Sequence, residues 1–184
     1  MRSFIALELS AAVQQALAAI QEVLRAYVPH ARWSRPEGTH LTLKFLGEVQ
    51  PQQVGEISVA LDAVASRHQP LSLFLSGVGA FPRLSVPRVL WVGIESGDGL
   101  IKLQGDVETT IAPLGFPTEN RQFKPHLTLA RLEGDAWPPD LRQRFLDCSS
   151  LASSVAWQVD RIVLFRSELL KGGAVYTPVH VSPL

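Results

Sequence analysis

The sequence has little cysteine and no long apolar run, and these absences restrict where the protein can work. Cys148 is the one cysteine among 184 residues, so an internal disulfide is impossible and a reducing compartment is favoured. No stretch is long and apolar enough to span a membrane. The N-terminal apolar run is short and is broken by Glu8, unlike a signal peptide. We expect a cytoplasmic protein with no membrane partner, in which Cys148 has a packing role.

Net charge is also lacking, as are the motifs of common cofactor sites. The 17 basic residues balance 17 acidic ones, whereas proteins that grip long nucleic acids through many phosphates are usually basic. Any nucleic acid bound should therefore be a short segment or an end. There is no glycine-rich phosphate loop, no His-Glu-x-x-His and no Cys-x-x-Cys. We expect no ATP dependence, no cofactor and no metal.

What the sequence does contain is a motif that occurs twice. His40-Leu41-Thr42-Leu43 recurs as His126-Leu127-Thr128-Leu129, an offset of 86 residues (126 − 40). Each copy is typical of a β-strand, on which side chains two apart point to the same face. Each strand would therefore present a histidine and a threonine on one face and two leucines on the other.

The repeat extends beyond the motif. Strand-like runs at 2–7 and 88–93 have the same offset, and amphipathic helical spacing follows them at 11–27 and 100–114. Each motif precedes another predicted helix, at 52–66 in the first repeat and at 140–148 in the second. Predicted strands then follow at 71–81, 155–165 and 174–181, with a turn at Gly172-Gly173. We predict one bilobal domain over residues 1–184, with repeats of roughly 1–86 and 87–184.

Two histidines with two threonines suit acid–base chemistry on a phosphate. An unperturbed imidazole pKa is about 6.5, so near neutral pH one ring can accept a proton while the other donates one. Threonine hydroxyls can donate to phosphate oxygens as charge builds on them. Two histidines are too few for a catalytic zinc, which takes three protein ligands. The other histidines lack a threonine partner and are interpreted as ordinary surface residues: His30, His68 and His180.

These residues and their flanks resemble the two-histidine phosphoesterases. The segments that carry the resemblance are Ser3 to Ala6, Trp33, His40 to Gly47, Gly79 to Pro82, Arg88 to Trp91, Phe123 to Arg131 and Gly173 to Tyr176. Specifically, the chain is similar to the RNA 2',3'-cyclic phosphodiesterase family, also called the 2'-5' RNA ligase family. The resemblance covers about residues 2–176 and includes both motifs in order.

The resemblance implies both a fold and a reaction. The fold is α+β, two-lobed and duplicated, with antiparallel sheets lining a central cleft, pseudo-two-fold symmetry and helices on the outside. The reaction is metal-free hydrolysis of an RNA 2',3'-cyclic phosphate end to a 2'-phosphomonoester, and some members also form 2'-5' bonds without ATP. His40 resembles the proton donor and His126 the proton acceptor, and Thr42 and Thr128 would hold phosphate oxygens.

Four further residues are predicted to bind substrate. Arg131 matches a family arginine, but strict alternation puts it opposite His126 unless the strand ends or bulges first. Lys44 should lie on the face of the first histidine, near the RNA backbone. Phe45 and Phe123 could stack on a base, although core packing is the stronger interpretation of Phe45. Two tryptophans are predicted to be core residues: Trp33 and Trp91.

Two other functions stay open at this stage. One is a non-catalytic protein that binds nucleotides or RNA ends. The other is a phosphodiesterase that acts on another small cyclic phosphate, such as ADP-ribose 1'',2''-cyclic phosphate. Nothing in the sequence indicates an obligate oligomer, so we expect a monomer whose partners are RNA ends or nucleotides bearing a 2',3'-cyclic phosphate.

Overall fold

A computed structural model describes residues 1–153, 155–170 and 173–184, whose strands form two antiparallel sheets. The strands are β1 (Arg2–Leu7), β2 (Arg32–Trp33), β3 (Leu41–Glu48), β4 (Leu71–Arg83), β5 (Val86–Glu95), β6 (His126–Arg131), β7 (Ala156–Val159), β8 (Arg161–Leu170) and β9 (Gly173–Pro183). Sheet A has the order β3-β1-β8-β9, and sheet B has the order β2-β6-β5-β4-β7. The α+β prediction with antiparallel sheets is confirmed; Gly172 of the predicted turn lies outside the described residues.

Helices form where the apolar spacing predicts them, with ends within about four residues of the expected ones. They are α1 (Ala11–Arg25), α2 (Gln53–Ala65), α3 (Gly97–Ile111), α4 (Pro139–Asp147) and the short α5 (Ser149–Ala152). In α1 the Ser10 hydroxyl accepts a hydrogen bond from the Val13 N–H, which caps the first turn. Short 3₁₀ turns occur at Pro36–Gly38 and Ala112–Leu114. Strand β2 and helix α5 were not predicted, because two and four residues are too short to show a period.

The two repeats are interlocked, and each sheet contains strands of both. Strand β4 closes the first repeat but pairs with β5 of the second, while β8 of the second repeat pairs with β1 of the first. The β4–β5 pairing follows from the short connection between Arg83 and Val86, since antiparallel strands joined by a tight turn pair with each other. The predicted boundary near residue 86 is therefore a sequence boundary, and the sheets do not divide there.

One buried cluster runs through both sheets and the helices. It contains residues of β1 and β3 in sheet A, of β5 and β6 in sheet B, and of α1, α2 and α3. Helices α2 and α3 contact sheet A, and α4 and α5 contact β4 of sheet B. The histidines of the two motifs lie on the opposite face of each sheet, which we call the histidine face. The helices and this main cluster thus lie on the other side of each sheet from its motif histidine.

Polar contacts at the periphery involve histidines that were expected to be ordinary surface residues. His30 is exposed, but His68 lies 2.7 Å from the Asp106 carboxylate. His180 and the Ser182 hydroxyl both lie 2.7 Å from Asp62 Oδ1, so they tie β9 to α2.

Cys148 is buried and unpaired, as expected. Across the described part of the chain, none of the helices has the length and apolar character needed to cross a bilayer.

Candidate active site

Both motif strands contain a β-bulge at the same place. In the β1–β3 ladder, Ile5 pairs with Lys44 and Ala6 with Thr42, so Leu43 has no partner. In the β5–β6 ladder, Leu90 pairs with Ala130 and Trp91 with Thr128, so Leu129 has no partner. The two bulged leucines are again 86 residues apart (129 − 43). Each bulge inserts one residue and shifts the side-chain alternation of the strand beyond it.

The bulge in β6 places Arg131 on the histidine face. Thr128 lies opposite Trp91, whose ring is next to His126, and Arg131 lies opposite Val89, two residues before Trp91 on the same strand. Between them, Leu129 and Ala130 are both buried. Strict alternation would have turned Arg131 toward the core. It is instead exposed on the same face as His126 and Thr128.

The equivalent bulge in β3 turns Lys44 toward the core. The prediction that Lys44 lies on the face of the first histidine is therefore wrong. Lys44 pairs with Ile5, which is fully buried in the core, and only 1% of the Lys44 side chain is exposed. Its ammonium lies 2.5 Å from Glu108 Oε2 and donates to the Pro117 carbonyl at 2.9 Å. The lysine therefore belongs to a buried ion pair behind the sheet, away from His40 and any RNA.

Phe45 takes the position that simple alternation gave to Lys44. It pairs with Phe4 on the histidine face, where the two ring centroids are 6.2 Å apart, and 66% of it is exposed. The core-packing interpretation of Phe45 is therefore wrong. Phe45 and Arg131 occupy the same position in the two repeats, 86 residues apart (131 − 45). Phe123, by contrast, is partly buried and packs against the core cluster.

His40 sits in an aromatic enclosure at the start of β3, immediately before Leu41. The centroid of its ring lies 4.4 Å from that of Phe165, 5.2 Å from that of Tyr176 and 5.7 Å from that of Phe4. Phe4 and Phe165 are buried and form a small second cluster on the histidine face of sheet A. These three aromatic residues were not predicted as site residues, although alternation along β1 puts Phe4 on this face.

Burial in this enclosure lowers the pKa of His40 below its ordinary value of 6.5. Two smaller effects raise it, the Glu8 carboxylate and a hydrogen bond with the Gly38 backbone. Glu8 follows Leu7, which pairs with Leu41, so it stands near the start of the motif strand. Glu8 also forms a 2.9 Å ion pair with Arg161.

His126 has a different environment, with a fixed ring orientation. Its Nδ1 lies 2.6 Å from the Lys124 carbonyl oxygen, so Nδ1 carries the proton and donates it. Gly38 and Lys124 each precede their histidine by two residues, so the two repeats orient both rings from the equivalent backbone position. The Phe81 ring packs edge-on at 5.1 Å, and the Trp91 ring lies at 6.3 Å.

Trp91 is beside the second histidine, and its predicted core role is wrong. It is partly buried on the histidine face and contacts Phe81 at 5.3 Å between ring centroids. A Cβ added to Gly79 would come within 2.3 Å of two Trp91 ring atoms. The tryptophan lies flat on β4 only because Gly79 has no side chain. Trp33, the other predicted core tryptophan, does pack against the core.

Contacts between the repeats tie each motif strand to the segment that leads into the other histidine. The carbonyl of Leu129 accepts from the Ser34 N–H at 2.9 Å and from Gln21 Nε2 at 3.1 Å. Ser34 is six residues before His40. In the other direction, Lys44 of β3 holds the Pro117 carbonyl, nine residues before His126.

A glutamine from each repeat also supports the bulge of the other repeat. Gln21 of α1 is 2% exposed and donates to Leu129 and to the Ser34 carbonyl, the latter at 2.7 Å. Gln104 of α3 donates to the Leu43 carbonyl at 3.4 Å.

Among the residues in the described ranges, no three histidine, cysteine or acidic side chains are grouped closely enough to hold a metal.

Comparison with known proteins gives a consistent result. The family model described as LigT like Phosphoesterase matches the chain twice, over residues 7–91 and 92–176. The chain is 35% identical over 171 residues to an RNA 2',3'-cyclic phosphodiesterase of Geobacillus stearothermophilus, covering 91% of this chain and 52% of that protein. It is 32% identical over 180 residues to the protein of that name from Thermotoga maritima, covering 98% and 94%. The chain thus spans about half of the Geobacillus protein but nearly all of the Thermotoga one.

Solved structures share the whole fold. The crystal structure of TT0787 of Thermus thermophilus superposes with a TM-score of 0.83 at 28% sequence identity, covering 100% of this chain and 98% of that one. The structure of E. coli LigT complexed with 3'-AMP gives a TM-score of 0.75 at 27% identity, with 100% and 97% covered. The duplicated architecture of this chain therefore recurs in proteins of known structure.

Proposed function

The chain belongs to the LigT-like phosphoesterase family, and on that premise we propose that it hydrolyses RNA 2',3'-cyclic phosphate ends to 2'-phosphomonoesters. The observation that carries the proposal is the repeated bulged strand, which puts a histidine and a threonine on the face turned away from the main core in each repeat. The cross-ties between the repeats favour one shared pocket between the two histidine faces, within a single domain. Packing alone would not require two titratable groups at equivalent positions.

His126 is the proton acceptor in this mechanism. Because its Nδ1 donates to the Lys124 carbonyl, the neutral ring presents an unprotonated Nε2. Nε2 removes a proton from water as the water oxygen attacks phosphorus. A general base of this kind typically contributes about 10²–10⁴-fold in rate.

His40 is the proton donor to the departing 3' oxygen. Burial lowers its pKa, which makes the protonated ring a stronger acid, while Glu8 and the Gly38 backbone oppose that shift of the pKa. Thr42 and Thr128 donate their hydroxyls to the non-bridging phosphate oxygens, where negative charge builds in the transition state. The bond to the 3' oxygen breaks, and a 2'-phosphate remains.

The residues around the pocket bind the rest of the substrate. Arg131 stabilises the phosphate, which its place on the histidine face permits. Phe45 offers an exposed ring on which a base can stack, worth about 1–3 kcal/mol per base. Phe123, which was also predicted to stack, is left out of this role because it is partly buried against the core cluster. Lys44 has no place in this list, because it is buried behind the sheet.

The test is incubation with adenosine 2',3'-cyclic phosphate or a short cyclic-ended RNA in EDTA. We expect the 2'-phosphate product, and His40→Ala or His126→Ala should lower kcat by at least about 10²-fold. His30→Ala is the matched control, since His30 is exposed and has no threonine partner. Formation of 3'-phosphate, or no turnover by the wild type, would contradict the proposal.

A sulfur substitution separates the two histidine roles. A cyclic phosphorothiolate with sulfur in place of the 3' oxygen has a leaving group that needs little protonation. The loss caused by His40→Ala should shrink on this substrate, while the loss caused by His126→Ala should persist. The reverse pattern would exchange the acid and the base.

A second candidate is a phosphodiesterase for another small cyclic phosphate. It is favoured by the E. coli LigT structures, which were solved in complex with 3'-AMP, ATP and NADP+. A profile of cyclic phosphate substrates distinguishes the two candidates. Reversible 2'-5' RNA ligation without ATP, a monomeric state and a cytoplasmic location complete the proposal, the last supported by the single, buried cysteine.

A further inference from the structure

Two arginines face each other at the outer edge of sheet B. Arg32 of the short strand β2 pairs directly with Arg131 of β6, and the neighbouring pair is Trp33 with Ala130. Residues directly opposite each other in an antiparallel ladder point to the same face. Since Ala130 is buried on the core side and Arg131 lies on the histidine face, Arg32 lies on the histidine face as well.

Among the described residues, no acidic side chain forms an ion pair with either arginine, so the electrostatic cost of this arrangement is not offset there. Like charges directly opposite each other destabilise a sheet. Both side chains are exposed. The arginine ion pairs within the described ranges are formed by other residues, namely Arg25, Arg67, Arg161 and Arg166. A pair of unneutralised guanidinium groups beside a phosphate pocket indicates an anionic ligand.

We propose that Arg32 is a substrate-binding residue that holds the phosphodiester next to the terminal cyclic phosphate of an RNA chain. This inference rests on the proposed function. Strands of a sheet are about 4.8 Å apart, so Arg32 stands one strand farther from β5 than Arg131 does. The path from Thr128 through Arg131 to Arg32 therefore leads outward from the reacting phosphate to the sheet edge, where the RNA chain can leave.

With a phosphodiester bound at Arg32, the enzyme should prefer oligonucleotides to mononucleotides as substrates. A nucleoside 2',3'-cyclic phosphate has one phosphate group and cannot occupy Arg32 while it reacts. A trinucleotide with a cyclic end has an adjacent phosphodiester that can. A single exposed charge contact is worth up to about five-fold in affinity. Each phosphate contact also steepens the salt dependence of single-strand binding by about 0.7 in log–log slope.

The experiment compares kcat/KM for a trinucleotide and a mononucleotide, both ending in a 2',3'-cyclic phosphate. Arg32→Gln should lower the trinucleotide-to-mononucleotide ratio about five-fold, and Arg32→Lys should restore part of it. The matched control is Arg25→Gln. The Arg25 guanidinium lies 5.4 Å from the ring centroid of Trp33. Trp33 follows Arg32 in the chain but faces the core side of β2, so Arg25 is a nearby arginine on the other face of the strand.

Binding measurements keep this test independent of turnover. Fluorescence anisotropy with a trinucleotide ending in a 2'-phosphate should give a salt slope about 0.7 smaller for Arg32→Gln than for the wild type. If both the ratio and the slope are unchanged in Arg32→Gln, the inference is overturned, and Arg32 only blocks edge-to-edge pairing of sheets. If the wild type turns over neither substrate but the slope changes, the proposed hydrolysis fails and the phosphate contact stands.

Discussion

Replacement of Lys44 by methionine tests the effect of the β3 bulge most sharply. The ammonium is almost fully buried and lies 2.5 Å from Glu108, whose side chain is 10% exposed. Lys44→Met removes one member of this pair and leaves a carboxylate without its counter-charge. The Pro117 carbonyl also loses its donor.

The expected loss of stability is large. Removing one partner of a buried ion pair costs about 3–5 kcal/mol, because the remaining charge is buried and uncompensated. For a protein of this size, each kcal/mol lowers Tm by about 2–4 °C. Lys44→Met should therefore lower Tm by roughly 6–20 °C. The double variant Lys44→Met/Glu108→Leu should recover part of this loss, since apolar replacements of a buried pair are often nearly neutral.

The assay is thermal unfolding followed by circular dichroism, with Lys102→Met as the matched control. Lys102 is exposed on α3, the helix that carries Glu108, so its replacement should change stability by no more than about 0.5 kcal/mol. If Lys44→Met were as stable as Lys102→Met but bound RNA more weakly, Lys44 would be a surface contact. The reasoning from the bulge would then be refuted.

Three further changes have defined outcomes. Gly79→Ala should push the Trp91 ring off β4 and lower kcat. Gly55→Ala is the control, since the space around Gly55 on α2 is open, and it should leave kcat unchanged. A normal kcat for Gly79→Ala would contradict the placement of Trp91 beside the catalytic histidine. Gln21→Leu should destabilise the fold by about 1–3 kcal/mol in urea unfolding, because the Ser34 carbonyl loses a donor and the Leu129 carbonyl loses one of two; unchanged stability would show that Gln21 does not support the bulge. Asp62→Asn should cost at most about 1 kcal/mol at pH 7, and the difference should vanish in strong acid. This follows because hydrogen bonds from β9 lower the pKa of Asp62 in the folded protein. The carboxylate therefore stabilises the fold at a pH above its pKa in the unfolded chain, and this stabilisation is lost as the pH falls through the pKa of the folded state. A stability difference that did not change with pH would argue against this role of Asp62.

The helices, most of the principal strands and the motif histidines could be predicted because each depends on local periodicity. The single strand predicted over 155–165 is wrong, since that run forms β7 and β8 in different sheets. Side-chain direction beyond the motif could not, because one inserted residue reverses it and no composition signal marks the insertion. This explains why Lys44 and Phe45 exchange faces relative to the prediction, and why Arg131 reaches the histidine face. Trp91 was unpredictable for a related reason, since its position depends on a glycine twelve residues away on the neighbouring strand (91 − 79).

The two repeats conserve geometry more closely than chemistry. The bulged leucine, the supporting glutamine and the carbonyl two residues before the histidine all recur. The second position after the bulged leucine, however, is an aromatic ring in one repeat (Phe45) and a guanidinium in the other (Arg131). A symmetric scaffold thus provides two different half-sites, as an asymmetric ligand with a base on one side and a phosphate chain on the other would require.

Titration with 2'-AMP, followed by NMR of the histidine ring protons, is the most direct test of a shared phosphate pocket. If both rings bind one phosphate, the Hε1 resonances of His40 and His126 should shift together, with one dissociation constant and one equivalent of ligand. The resonances of the three histidines outside the motifs should stay in place. A shift of only one motif histidine, or saturation of the two at different ligand concentrations, would contradict the claim that both rings act on one phosphate.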